Sequence, residues 1–268
     1  MGPYIYKSWV IHLPSGDLMN CLSKYIAGLI IAFSLVNPAA EAQSFINLNF
    51  ESATLSPESG YQNWPNLVPI SQALPGWNAY LGSVEQTEVG QNTFANSYAT
   101  VDILGPGWGT QPGPFGANIG IIDGNYSVLL QGGYSSDDSY NGYVNASIAQ
   151  TGMVPATAES LTFRAWDYLG NLNLFAVSFN GNTLSPTLLG TGTSPSGQPY
   201  NIYGVNIVPY AGQTGQLEFT ADGSAAEPTI LLDDISFSTQ AVPEPSILGL
   251  TAIGGLVFGA RGWFARRR

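Results

Sequence analysis

Between residues 43 and 241 apolar and polar positions alternate in short runs bounded by Gly, Pro and Asn, and no stretch sustains a 3.6-residue apolar period. That pattern predicts antiparallel β-structure. The strands expected are 45–50, 126–131, 143–150, 161–167, 173–179, 183–188, 200–207, 217–221 and 230–237. Asn180-Gly181 is a two-residue hairpin signal joining two of them. Residues 52–124, with Pro75-Gly76-Trp77 and the breaker-rich run 105–116, read as a long ordered loop without regular structure. The fold class expected is all-β, an antiparallel β-sandwich.

Two apolar runs flank this region, and both have helical character. Lys24, the apolar segment 25–36, and then Ala40-Glu41-Ala42 have the three parts of a secretory signal peptide cleaved after Ala42. Residues 1–18 precede a second methionine, Met19, where translation is expected to start. At the other end, residues 246–260 carry no charge and span roughly 22 Å as a helix. Extending to Ala265, with Arg261 snorkelling, brings the length to about 30 Å, that of a hydrocarbon core. Arg266, Arg267 and Arg268 then mark the cytoplasmic side and put everything before Val242 outside. The domains expected are 1–42, 43–241 and 242–268.

Val242-Pro243-Glu244-Pro245-Ser246, the Gly-interrupted apolar run and the basic end occur in that order at the C-terminus. This tail resembles the PEP-CTERM sorting signal of exopolysaccharide-producing Gram-negative bacteria. The resemblance implies recognition of Val242, Pro243, Glu244 and Pro245 by an exosortase in the inner membrane, after signal peptidase has acted at the other end. The residues alone show a pre-kinked junction, since both prolines fix φ and bar an earlier helix start. A permanent single-span anchor is the alternative.

Charge sharpens the picture. Of the basic residues only Arg164 lies between the two signals, against fifteen acidic ones, a formal −14. Such a surface repels phosphate backbones and excludes nucleic acid as a partner. The single cysteine, Cys21, leaves with the signal peptide, so the exported domain relies on packing or metal rather than disulfides. It has no His, Cys or Lys, which removes the common nucleophilic sites, Schiff-base chemistry and His-ligated zinc. A carboxylate pair for glycoside hydrolysis stays chemically open, but no clustered acidic strand motif appears, and a non-enzymatic protein is expected.

Asn49-Phe50-Glu51, Pro75-Gly76-Trp77 and Leu232-Asp233-Asp234-Ile235 together resemble the galactose-binding-like jelly roll of many carbohydrate-binding modules. That resemblance implies adjacent first and last strands and a structural calcium held by Glu51 and one of Asp233 or Asp234. The residues make a parallel case: in an alternating strand, adjacent aspartates point to opposite faces, and a buried unpaired carboxylate is costly. A hard cation, backbone donors or Arg164 could each satisfy the inward one. Asp137-Asp138 reads as a solvated loop or a second cation site. Trp108, Tyr134, Tyr140 and Tyr143 have the chemistry to stack on sugar rings, with packing beneath its own loop the alternative for Trp108, while Trp77 and Trp166 read as core. The function expected is non-catalytic exopolysaccharide binding at the cell surface or in the extracellular matrix. A structural surface or biofilm protein is the alternative, and a divergent glycosidase comes third.

Overall fold

A computed structural model describes residues 43–57, 66–93, 97–108, 111–112, 118–135, 142–168, 174–224 and 227–243. Contacts divide the chain after Ala42, and all described residues belong to the second unit. Two large sheets dominate it. In the eight-stranded sheet the order is β1 (Leu67–Pro69), β4 (Glu88–Gln91), β5 (Thr100–Leu104), β8 (Ser127–Gln131), β18 (Thr229–Ser238), β12 (Ser160–Asp167), β16 (Pro199–Asn206) and β15 (Thr187–Thr193). The six-stranded sheet runs β14 (Asn182–Leu184), β13 (Phe175–Phe179), β17 (Thr214–Ala221), β11 (Ala146–Met153), β2 (Asn78–Leu81) and β3 (Val84–Gln86). Two ribbons, β9 (Gly133–Tyr134) with β10 (Tyr143–Val144) and β6 (Gln111–Pro112) with β7 (Asn118–Ile119), stand apart. All pairings are antiparallel except β4 with β5.

The sheets face each other across one core, as their alternation requires. On β12, Leu161, Phe163 and Ala165 enter it, and on β17 Leu217, Phe219 and Ala221 do. Phe163 meets Phe219 edge-on across the gap, with ring centroids 5.4 Å apart. The Asn180-Gly181 hairpin is present, with both residues at positive φ (50° and 73°) and Phe179 opposite Asn182.

The outer face of the larger sheet, away from the six-stranded one, is half covered. Every residue of β5 and β8 is buried, because a second cluster of Leu104, Trp108, Ile119, Ile122, Leu129 and Leu231 lies on that side. The chain between β5 and β8 supplies this cover. It explains why Thr-Val-Asp-Ile-Leu and Ser-Val-Leu-Leu-Gln lack a clean in-out alternation.

Several expectations need correcting. Residues 45–50 form no strand: Asn47 and Phe50 adopt positive φ (50° and 59°), which no extended ladder accommodates, and pairing is limited to a bridge between Ser44 and Met153. Among the described residues, 52–124 hold β1–β7 and a helical turn, α1 (Ile70–Ala73). Their strands are two to five residues long, too short for alternation to register. The expected strand 143–150 is split into β10 and β11, and 183–188 into β14 and β15 about Pro186. No helix among the described residues is long and apolar enough to cross a membrane. Segments 25–36 and 246–265 lie outside those residues.

Candidate functional site

The candidate metal residues meet at a turn on the covered side. Ile230 and Leu232 enter the main core and Leu231 the outer cluster, so Asp233 points outward. Simple alternation would then send Asp234 inward. Instead the register jumps: Asp233 lies opposite Arg164, but Ser236 is opposite Thr162. Asp234, at φ 46°, is the extra residue of a β-bulge, and Ile235 returns to the core. The expectation of one carboxylate on each face is therefore corrected, because the bulge absorbs the second aspartate.

Asp233 is 1% exposed and fully engaged. Its Oδ2 accepts from the Ser127 hydroxyl (2.6 Å) and the Asp123 N–H (3.0 Å), and its Oδ1 from the Asp234 N–H (2.7 Å). Burial pushes its carboxyl up to about 7 against the pull of these three donors. Arg164 bridges Asp123 and Asp234 at 3.0 Å each and lies over the Tyr200 ring, 5.2 Å from its centroid. Burial works against the guanidinium charge, but Asp234 and Asp123 hold it above its ordinary value.

Glu51 clamps the other side of the same turn. Its Oε1 accepts from the N–H groups of Asn125 (2.8 Å) and Tyr126 (3.0 Å), and Oε2 from the Asn125 side-chain amide (2.9 Å). The turn is possible because Gly124 has φ +55°, and a Cβ there would sit 2.3 Å from Oε1. Asn47 prepares Glu51's approach, accepting from the Ser52 N–H through its side chain and from the Trp77 indole through its carbonyl (2.9 and 3.0 Å). Trp77 is buried in the main core against Phe50, as expected.

This arrangement does not suit a hard cation. A calcium cradle needs converging oxygen lone pairs, yet the lone pairs of Glu51 and Asp233 receive N–H and O–H donors and Asp234 serves Arg164. No group of three acidic, His or Cys side chains among the described residues could hold a metal ion. Backbone donors and Arg164, the other partners considered for these aspartates, are what the geometry contains. Asp137 and Asp138 lie outside the described residues.

The aromatic candidates separate sharply. Trp108 is fully buried, its indole N–H donating to the Ile119 carbonyl (2.7 Å), so it offers no ring face to a sugar. The ligand contact expected there does not fit this placement: the indole packs within the outer cluster instead. Trp166 is only partly buried, lying against the outer cluster and edge-on to Tyr168. Tyr140 lies outside the described residues.

Tyr134 and Tyr143 face each other directly across the β9–β10 ribbon, with ring centroids 4.2 Å apart. Tyr134 is 45% exposed, and so is Tyr98, which bridges to it from the preceding segment. The sequence reading missed Tyr98, because only the fold brings it beside the ribbon. Residues 97–99 can approach β9 because residue 133 is glycine: a Cβ there would lie 2.6 Å from the Ser97 carbonyl oxygen. The Tyr143 phenol is pushed up to about 12, chiefly by its hydrogen bond with Tyr134 and also by the Glu227 charge.

Asp102 was also missed. It is fully buried on β5 above Gly90, where a Cβ would overlap its Oδ1. The Thr100 hydroxyl beside it is too poorly placed for a well-formed hydrogen bond, and the buried Thr93 hydroxyl meets no partner among the described residues. Burial pushes its carboxyl well above the ordinary range, and the neighbouring Thr100 hydroxyl offsets this only in part. The neutral acid is the form such a site tolerates.

No protein-family model matches the chain, and a search of curated proteins finds no significant match. Among solved structures, the chain is similar to the enzymatically active domain of bacteriophage CBA120 tailspike protein 4, at 14% identity and a TM-score of 0.28. The match covers 71% of this chain and 21% of that one, so this chain spans about a fifth of the tailspike domain's length.

Proposed function

We propose that the domain is a non-catalytic carbohydrate-binding module, a jelly roll by topology, that associates with extracellular polysaccharide through Tyr98, Tyr134 and Tyr143. The observation that carries this reading is the tyrosine cluster: Tyr134 and Tyr143 in ring contact on paired strands, Tyr98 bridged to Tyr134, and Tyr98 and Tyr134 nearly half exposed. Exposed aromatic groups of this kind are uncommon on a monomer surface without a partner. A pyranose presents an apolar face that stacks on such rings, while phenol hydroxyls meet its rim. The strongly acidic surface favours neutral glycans over anionic ones.

Export and sorting belong to the same proposal. The signal-like segment before Gln43 and the Val242-Pro243-Glu244-Pro245 tail support passage through signal peptidase and exosortase, with the domain left outside the cytoplasm at the cell surface or in the matrix. The test is retention of the purified protein on insoluble neutral polysaccharides, with Tyr134→Ala beside the parent. Loss of at least about tenfold in affinity on that substitution is expected, the equivalent of about 1.4 kcal/mol. Equal retention of the two proteins overturns the tyrosine site. Release of reducing sugar during incubation overturns the non-catalytic reading.

A further inference from the structure

The two large sheets end in four edge strands, and three of them are blunted. β1, β3 and β14 have three residues each. β1 contains Pro69, β3 contains Glu85, and Pro186 follows β14. Short edges, charges and prolines are the devices by which sheets avoid pairing with other chains. β15 is the least protected: Pro186 precedes it and a bulge interrupts it, but no charge or proline lies within the strand. It is seven residues long, Thr-Leu-Leu-Gly-Thr-Gly-Thr, and among the described residues pairs only with β16. Leu188 is 56% exposed and Leu189 40%. One register shift beside Leu189 is its sole irregularity.

Charge singles out the same side. Residues 168–217, fifty in a row, contain no Asp, Glu, Lys, Arg or His, within a domain that carries −14. They build β13 to β16 and the β15 edge with its exposed leucines. Two copies meeting through any acidic surface would repel each other, whereas copies meeting at β15 bring neutral segments together.

We propose that β15 pairs antiparallel with β15 of a second copy, joining the two eight-stranded sheets into one continuous sheet across a two-fold axis. A strand paired with its own copy satisfies the free N–H and C=O groups of both edges at once and covers the exposed leucines. This goes beyond glycan binding and does not depend on it.

Disulfide trapping tests the pairing in the full chain, in detergent, with Cys21→Ser as background. Single cysteines replace Leu188, Thr191 and Thr193 in turn on β15, and Val84 on the β3 edge as control. Under mild oxidation at least one β15 position should give a covalent dimer at least about tenfold faster than Val84→Cys, because pairing raises the local thiol concentration. Sedimentation of the parent should show a dimer that Leu188→Lys dissociates, with an unchanged circular dichroism spectrum. A parent that stays monomeric, cross-linking at Val84 as fast as on β15, or a dimer indifferent to Leu188→Lys would each overturn the proposal.

Discussion

The outer face of the large sheet is built in two ways. From β5 to β18 it is roofed by residues 105–108 and 119–126, among which Trp108, Ile119 and Ile122 seal it. Toward β15 the exposed side chains are Leu188, Leu189 and threonines. The roofed half buries polar groups at a cost: Asp233 gains three donors, Ser127 among them, while Asp102 is held chiefly by burial beside Thr100. The uncovered half places nothing titratable along the strand and keeps its backbone groups within reach of water. Covering a sheet therefore permits buried chemistry but makes every polar residue there costly to change, while an uncovered edge tolerates substitution and offers itself to a partner.

The largest expected effect follows from removing the roof. Trp108→Ala empties the centre of the outer cluster and should cost about 3–5 kcal/mol of unfolding free energy in a denaturant titration. A loss no greater than that of Leu188→Ala would break the comparison. Next comes the turn: Asp233→Asn turns an acceptor into a group with its own N–H donors facing three others, at about 1–3 kcal/mol. Glu51→Gln, which can still accept through its amide oxygen, should cost less on the same titration.

pH sharpens the contrast further. Asp102 and Asp233 both have folded values raised above their unfolded ones. Their stabilising contribution is therefore fully present below about pH 4 and lost as pH rises, for Asp233 through about 7. Thermal melts should fall between pH 5 and 8, opposite to ordinary acid denaturation, and Asp102→Asn should flatten that fall. Addition of a chelator should leave the melting temperature unchanged, since N–H and O–H donors occupy the Glu51 and Asp233 oxygens. The smallest effect belongs to the surface: Tyr134→Ala should alter stability by less than about 0.5 kcal/mol while weakening retention on polysaccharide at least about tenfold.

Alternating runs, the Asn180-Gly181 hairpin and the want of helical periodicity determined the all-β class without any coordinates, because side-chain alternation is a local property of an extended chain. The importance of Glu51 and the Asp233-Asp234 pair was legible too, since carboxylates beside apolar strands demand partners. Who those partners are was decided by tertiary structure. The turn at Gly124 and Asn125, more than 70 residues from Glu51, brings donors that no spacing rule announces. The bulge at Asp234 cancels the parity on which facing was inferred, and the roof over β5 and β8 erases the alternation that would have revealed β5. Trp108 carried the same ambiguity: an indole among glycines and prolines reads equally as a platform or a plug. Only the apolar surface of Leu104, Leu129 and Leu231, drawn from strands far apart in sequence, makes it a plug.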